Sequence, residues 1–234
     1  MRFEPFLYRC TLFAKQAIEI VQNQAFAIND KLHDLGLFVY PRTGTVFTIG
    51  PSGAESMNIT AFEFSDSTKS FVITYDQNRI DIIYTKRANY KKTLLEFVSD
   101  VKTVMDALQE ISIDVQRCAL ATSQVIEDIN NDTIYGKLVI DGDVNTFEWN
   151  VRKVIQTKID GFPMKPINFV TTISRNMRKL PTIPTVVDAV CLETDFNTDA
   201  RFTETLKSSD VLNFLNLMVK ETEETVVSFK KRLI

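Results

Sequence analysis

The chain has 234 residues, enough for one large domain or two small ones with a hydrophobic core of their own. An apolar fraction of 44% and a charged fraction of 24% exclude wholesale disorder, a collagen helix and a coiled-coil rod. With 27 Lys and Arg against 30 Asp and Glu the net charge is −3, which argues against a globally basic nucleic-acid binder but leaves local basic patches open.

Glycine is scarce, at 7 residues, and no GxxxxGK[ST] or GxGxxG occurs, so no phosphate-binding loop is expected. Gly50-Pro51-Ser52-Gly53 reads as a turn. The 17 phenylalanines point to a well-filled core. The start MRFEPFLYRC has no apolar run with a small-residue cleavage site, and no window holds eighteen uninterrupted apolar residues. Cys10, Cys118 and Cys191 are odd in number, far apart and flanked by apolar residues. These features suit buried thiols in a cytoplasmic protein that does not enter membranes.

Apolar residues at Ala14, Ala17, Ile18, Val21, Ala25, Ile28, Leu32 and Leu35 step by three and four, which predicts a helix stopped by Gly36. Phe6 to Phe13 fits either a strand or the beginning of that helix. Strands are then expected at Leu37 to Tyr40 (stopping at Pro41), Thr45 to Ile49, Asn58 to Phe64, Phe71 to Tyr75 and Arg79 to Thr85, the last three as a meander. Residues 88–111 predict a long helix with Leu94, Phe97, Val98, Val101, Val104, Met105, Leu108 and Ile111 on one face.

A second run of strands follows. Val115 to Val125 reads as strand and Asp128 to Thr133 as polar loop. Lys137 to Ile140, the Asp141-Gly142-Asp143 turn and Thr146 to Ile159 read as a hairpin. Asp160-Gly161-Phe162-Pro163 closes it; Ile167 to Ser174 and Val186 to Asp195 are further strands. Residues 208–232 predict a last helix, capped near Ser208 and Asp210 and ending on Lys230, Lys231 and Arg232. The expected class is α+β: antiparallel meanders packed by long helices, as 1–111 and 112–234, two similar halves or one continuous domain. The repeat is read in architecture and not in residue identity.

Three stretches together carry a resemblance: Phe71 to Tyr84 followed by Tyr90 and a helix; Val115-Gln116-Arg117-Cys118-Ala119-Leu120; and Leu192-Glu193-Thr194-Asp195-Phe196 leading to Val211-Leu212-Asn213-Phe214-Leu215. This order resembles a sporadically distributed family of uncharacterised prokaryotic proteins over residues 60–234. The N-terminal third departs from it, a strand being expected there rather than a long helix. That family has no assigned reaction, so the resemblance implies an order of elements and no site.

No catalytic constellation is readable. His33, the one histidine, falls on the polar side of the first helix, and no GxSxG occurs. Three readings of function follow. The leading one is a non-enzymatic protein-binding or assembly subunit, with a protein partner or a second copy docking on the apolar terminal helix through Phe229 and Leu233. Exposed sheet edges would offer a further contact by strand addition. The alternative is a metal-dependent phosphodiester hydrolase using the acidic strand 188–199, where Glu193 and Asp195 lie two apart and share a face, with Asp188, Asp199, Asp141 and Asp143 nearby. The third is nucleic-acid binding through Lys86, Arg87, Lys91 and Lys92, with a second patch at Arg152, Lys153, Arg175, Arg178 and Lys179. No cofactor is expected.

Overall fold

The structure, a computed structural model, describes residues 1–50, 53–87, 91–138, 148–158, 166–201 and 204–233. In chain order the elements are β1 (Arg2–Ala14), α1 (Gln22–Leu32), β2 (Phe38–Gly50), β3 (Gly53–Ser65), β4 (Phe71–Asp76), β5 (Arg79–Thr85) and α2 (Leu94–Leu108). They continue with β6 (Val115–Glu127), α3 (Asn131–Leu138), β7 (Trp149–Thr157), β8 (Ile167–Lys179), β9 (Val186–Thr198) and α4 (Ser208–Leu233). This is an α+β fold. The nine strands of the described residues join one antiparallel sheet in the order β2-β3-β4-β5-β1-β6-β9-β8-β7.

That order is an internal repeat. The unit β1-α1-β2-β3-β4-β5-α2 is followed by β6-α3-β7-β8-β9-α4, and the units meet where β1 pairs with β6. Cys10 faces Leu120 and Leu12 faces Cys118. A pseudo-twofold axis through the Thr11–Ala119 pair therefore exchanges Arg9-Cys10-Thr11-Leu12 with Arg117-Cys118-Ala119-Leu120. The repeat does extend to residue identity, as two R-C-x-L tetrapeptides 108 positions apart. No continuous periodicity announces them.

One face of the sheet holds the core. Tyr8, Cys10 and Leu12 of β1, Ile80, Ile82 and Tyr84 of β5, and Cys118 and Leu120 of β6 alternate toward α1, α2 and the first half of α4. Ridges on α2 (Phe97, Val101, Val104) and on α4 (Val211, Phe214, Leu215, Met218) fill the layer. A register shift between Pro5 and Leu7 turns Phe3 to this same side, where it joins Ile126, Ile134, Ile173, Leu192 and Leu233 in a second cluster.

Several expectations are corrected. The helix predicted over 14–35 is only Gln22–Leu32. Ala14 completes β1, and the amides of Ala14 and Ile18 bond the carbonyls of Asn78 and Gln77 in the β4–β5 turn at 2.7 and 2.6 Å. Those tertiary hydrogen bonds take the donors a first helical turn would need otherwise. Gly36, with φ 67°, supplies the left-handed residue that ends the following short turn. Strand β2 does not stop at Pro41, because it is the sheet edge and a proline there forfeits no inner ladder bond.

Helix α2 begins at Leu94 rather than 88. Thr93 caps it: its hydroxyl accepts the Glu96 amide at 3.2 Å, and the Glu96 carboxylate accepts the Thr93 amide at 2.7 Å. The expected polar loop and strand at 128–140 are α3 through Leu138. Asn130 accepts the Asp132 amide at 2.7 Å, and Ile134 and Tyr135 are buried. The Asp141-Gly142-Asp143 and Asp160 to Pro163 turns, the centre of the Gly50 to Gly53 turn, Ala88 to Tyr90 and Ile234 lie outside the described residues.

Candidate nucleic-acid interface

Strand alternation sends every second residue to the side opposite the helices, and among the described residues no helix covers that face. Among the described residues the corner near β9 is closed, where Leu180 and Ile183 pack with Phe6, Val125, Ala189 and Cys191. At the centre lie Arg9, Thr11 and Phe13 of β1 beside Arg117, Ala119 and Ala121 of β6. Arg117 donates to the Thr198 carbonyl at 3.3 Å and stacks over Phe13 at 4.7 Å. The Nε of Arg9 is buried with no hydrogen-bond partner. Among the described residues neither Arg9 nor Arg117 has a carboxylate partner, whereas Arg79 pairs with Asp81 and Arg178 with Glu193.

The second repeat adds a chain of amides on the same face. Gln156 of β7 donates to Asn168 of β8 at 3.0 Å, Asn168 to Asn197 of β9 at 3.1 Å, and Asn197 to Asp195 at 3.3 Å. Gln156 also donates to Asp199 at 2.7 Å. The β8 side of this face reads Asn168, Val170, Thr172, Ser174, Asn176, Arg178, a row of hydrogen-bonding and small groups. In the first repeat the matching positions carry Thr11 bonded to Asp81 at 2.7 Å, Thr74 and Arg79.

The acidic strand is dispersed by its partners. Glu193 and Asp195 do share the open face, yet Glu193 accepts from Arg178 at 3.0 Å and Asp195 from Asn197. Asp188 is on the helix side, held by Arg175 at 2.8 Å and by Asn131 at 3.1 Å, and the Arg175 hydrogen bond lowers its pKa. Arg201 holds Asp199 far below the usual carboxylate range through side-chain and backbone hydrogen bonds. Among the described residues no three His, Cys, Asp or Glu side chains converge on a metal-sized site. Asp141 and Asp143 fall outside them.

The basic stretch is partly neutralised. Lys86 pairs with Glu4, and Lys92 with Asp100, while Arg87 and Lys91 are exposed. In the second patch Arg175 and Arg178 bond acids on opposite faces of the sheet. Leu233 is 2% exposed within its own cluster, and Phe229 is half-buried against it. The terminal helix thus spends its last apolar residue on the chain's own core. His33 is exposed in a short turn after α1, and the three cysteines are buried. No described helix is long and apolar enough to cross a membrane.

The paired Arg9 and Arg117 are what sequence reading missed, and the duplicated R-C-x-L was its available signal. The amide chain had none, since residues 156, 168 and 197 meet only through strand pairing. In comparison with known proteins the chain matches no family model and no curated sequence.

Proposed function

We propose that this is a non-enzymatic binding protein whose uncovered sheet face lies along a nucleic-acid duplex. The observation that carries the reading is the pseudo-twofold pair Arg9 and Arg117 at the centre of that face, free of carboxylates among the described residues. A duplex backbone has local dyads of its own, and a two-fold protein surface meets it in matched halves. Nine strands about 4.8 Å apart span about 38 Å, close to one duplex turn of about 34–36 Å. Sheet-based readers of a groove use Arg, Asn and Gln for hydrogen bonds and apolar side chains as wedges. Gln156, Asn168 and Asn197 supply the amides, and Phe13, on the same strand as Arg9 and directly across from Arg117, supplies the apolar ring. The net charge of −3 makes long-range attraction weak, so affinity rests on these local contacts.

The test is fluorescence anisotropy of a labelled duplex of about three helical turns, at low and raised salt, with the matching single strand as competitor. The expected result is salt-sensitive, duplex-preferring binding weakened about tenfold or more by the double change Arg9→Ala, Arg117→Ala. Absence of duplex binding at low salt overturns the reading. So does binding that depends on Arg87 and Lys91 and ignores the sheet face.

A further inference from the structure

On the helix side, where the two repeats meet, a cleft of about 570 Å³ opens between β1, β6, the start of α2 and the middle of α4. Its size lies within the ordinary range for small-molecule sites, about 300–1,000 Å³. The floor holds Tyr8 and Gln124, 4% and 7% exposed. Both line the cleft, and among the described residues neither the Tyr8 hydroxyl nor the Gln124 amide bonds another protein group, which leaves these polar atoms to whatever fills the cleft. Pro5 faces Gln124 across the β1–β6 pair, and Tyr8 stacks on Tyr84 at 5.5 Å between ring centres. The stacking holds the Tyr8 ring in place at the cleft floor. Burial pushes the Tyr8 phenol pKa upward, so the group remains a hydrogen-bond donor at neutral pH.

The rim carries charge of both signs. Lys86 is paired with Glu4, Lys92 with Asp100, and Glu96 is committed to the Thr93 cap. That leaves Lys91 on the α2 side and Glu223 on the α4 side, both exposed and in no direct salt bridge among the described residues, although Lys91 also acts at longer range on Glu4. Apolar walls come from Phe3 and Val226.

We propose that this cleft binds a free amino acid whose flat side chain carries a hydrogen-bonding group. The side chain lies between the apolar walls with its polar atom on Gln124 and Tyr8, the carboxylate on Lys91 and the ammonium on Glu223. The site is on the opposite side of the sheet from the duplex-binding face, and its occupancy is measurable without nucleic acid.

The test is a ligand-observed NMR titration of the full chain with L-tryptophan, whose indole N–H suits the Gln124 carbonyl. Tryptamine, lacking the carboxylate, and indole-3-propionate, lacking the ammonium, serve as controls. Saturable binding is expected, weakened at least about fivefold for either control and in each of Lys91→Glu, Glu223→Lys and Gln124→Leu. Gln124→Leu is also expected to melt no lower than the parent, since it breaks no hydrogen bond within the protein; that separates a lost site from a lost fold. No binding up to about 10 mM, or a weakening of less than fivefold for the controls or for Gln124→Leu, overturns the proposal.

Discussion

Arg9 and Arg117 stand on neighbouring antiparallel strands at positions that one pseudo-twofold axis exchanges, with Cys10 facing Leu120 and Leu12 facing Cys118. The equivalence is not complete. Arg117 bonds the Thr198 carbonyl and stacks on Phe13, while the Arg9 Nε is buried without a partner. One repeat thus presents a braced arginine and the other an arginine with donors to spare.

This asymmetry has a measurable consequence for duplex binding. Arg9→Ala and Arg117→Ala are each expected to weaken binding and to lower the salt slope by about one. Arg9→Ala is expected to leave the melting temperature nearly unchanged, since it removes an unbonded donor. Arg117→Ala is expected to lower it through the lost carbonyl bond and ring contact, by about 1 kcal/mol of stability. Anisotropy titrations and thermal melts on the same three proteins check both statements.

The cysteines are expected to be inert in the native state. Cys10 and Cys118 are fully buried beneath the helices, and Cys191 lies under the 180–183 corner. Burial pushes all three thiols up, Cys191 to about 11, so thiolate is scarce at pH 8. A maleimide followed by intact-mass spectrometry should add nothing to the folded chain over minutes and three groups after denaturation. Rapid native labelling of Cys191 would show the corner opening on its own.

Arg175 ties three elements together: it donates to Asp188 of β9 at 2.8 Å and to Asp132 of α3 at 2.7 Å, while Asn131 also bonds Asp188. The Asp188 carboxyl has a lower pKa in the folded chain than in the unfolded one, chiefly from the Arg175 bonds. Its stabilisation is therefore present above the ordinary carboxylate pKa of about 3.9 and is lost as pH falls through the lower folded value. Asp188→Asn is expected to cost about 1–3 kcal/mol at pH 7 and to flatten the acid limb of the stability profile. Urea melts from pH 2 to 7 read both effects.

What the sequence revealed followed from local rules. The α2 and α4 stripes, the β4–β5 meander and strands β6, β8 and β9 were legible, because alternation and helical spacing in them agree with the burial the fold imposes. Ala14 to Val21 misled because the spacing of its apolar residues suits a helix, while the amides of Ala14 and Ile18 are claimed by the β4–β5 turn. Asn131 to Leu138 misled because a polar start hid a cap on Asn130. The candidate face could not be read, since Gln156, Asn168 and Asn197 become neighbours only through the register of β7, β8 and β9. Glu193 and Asp195 were correctly put on one face, but spacing along a strand says nothing of Arg178 arriving from β8.

The terminal helix makes a last distinction between a core role and a docking role. Leu233 packs with Phe3, Ile126, Ile134 and Leu192, and its carbonyl accepts from the Lys137 ammonium at 2.6 Å, so the end of α4 is fastened to α3 and to the sheet. Leu233→Ala is expected to cost about 2–5 kcal/mol, as for other buried leucines, and to do so independently of protein concentration. A docking residue would behave differently: its loss would leave a dilute sample's melting point alone and lower only that of a concentrated one. Phe229, half-buried beside the groove between α4 and β8, is the residue where the two roles can be separated. Phe229→Ala is expected to destabilise less than Leu233→Ala, because Phe229 is only partly buried and its site can open to solvent, whereas Leu233 is enclosed. Melts of both variants across a hundredfold range of concentration, with sedimentation at each end, decide between them. A concentration-dependent loss for Phe229→Ala alone would assign the α4–β8 groove to a second copy of the chain.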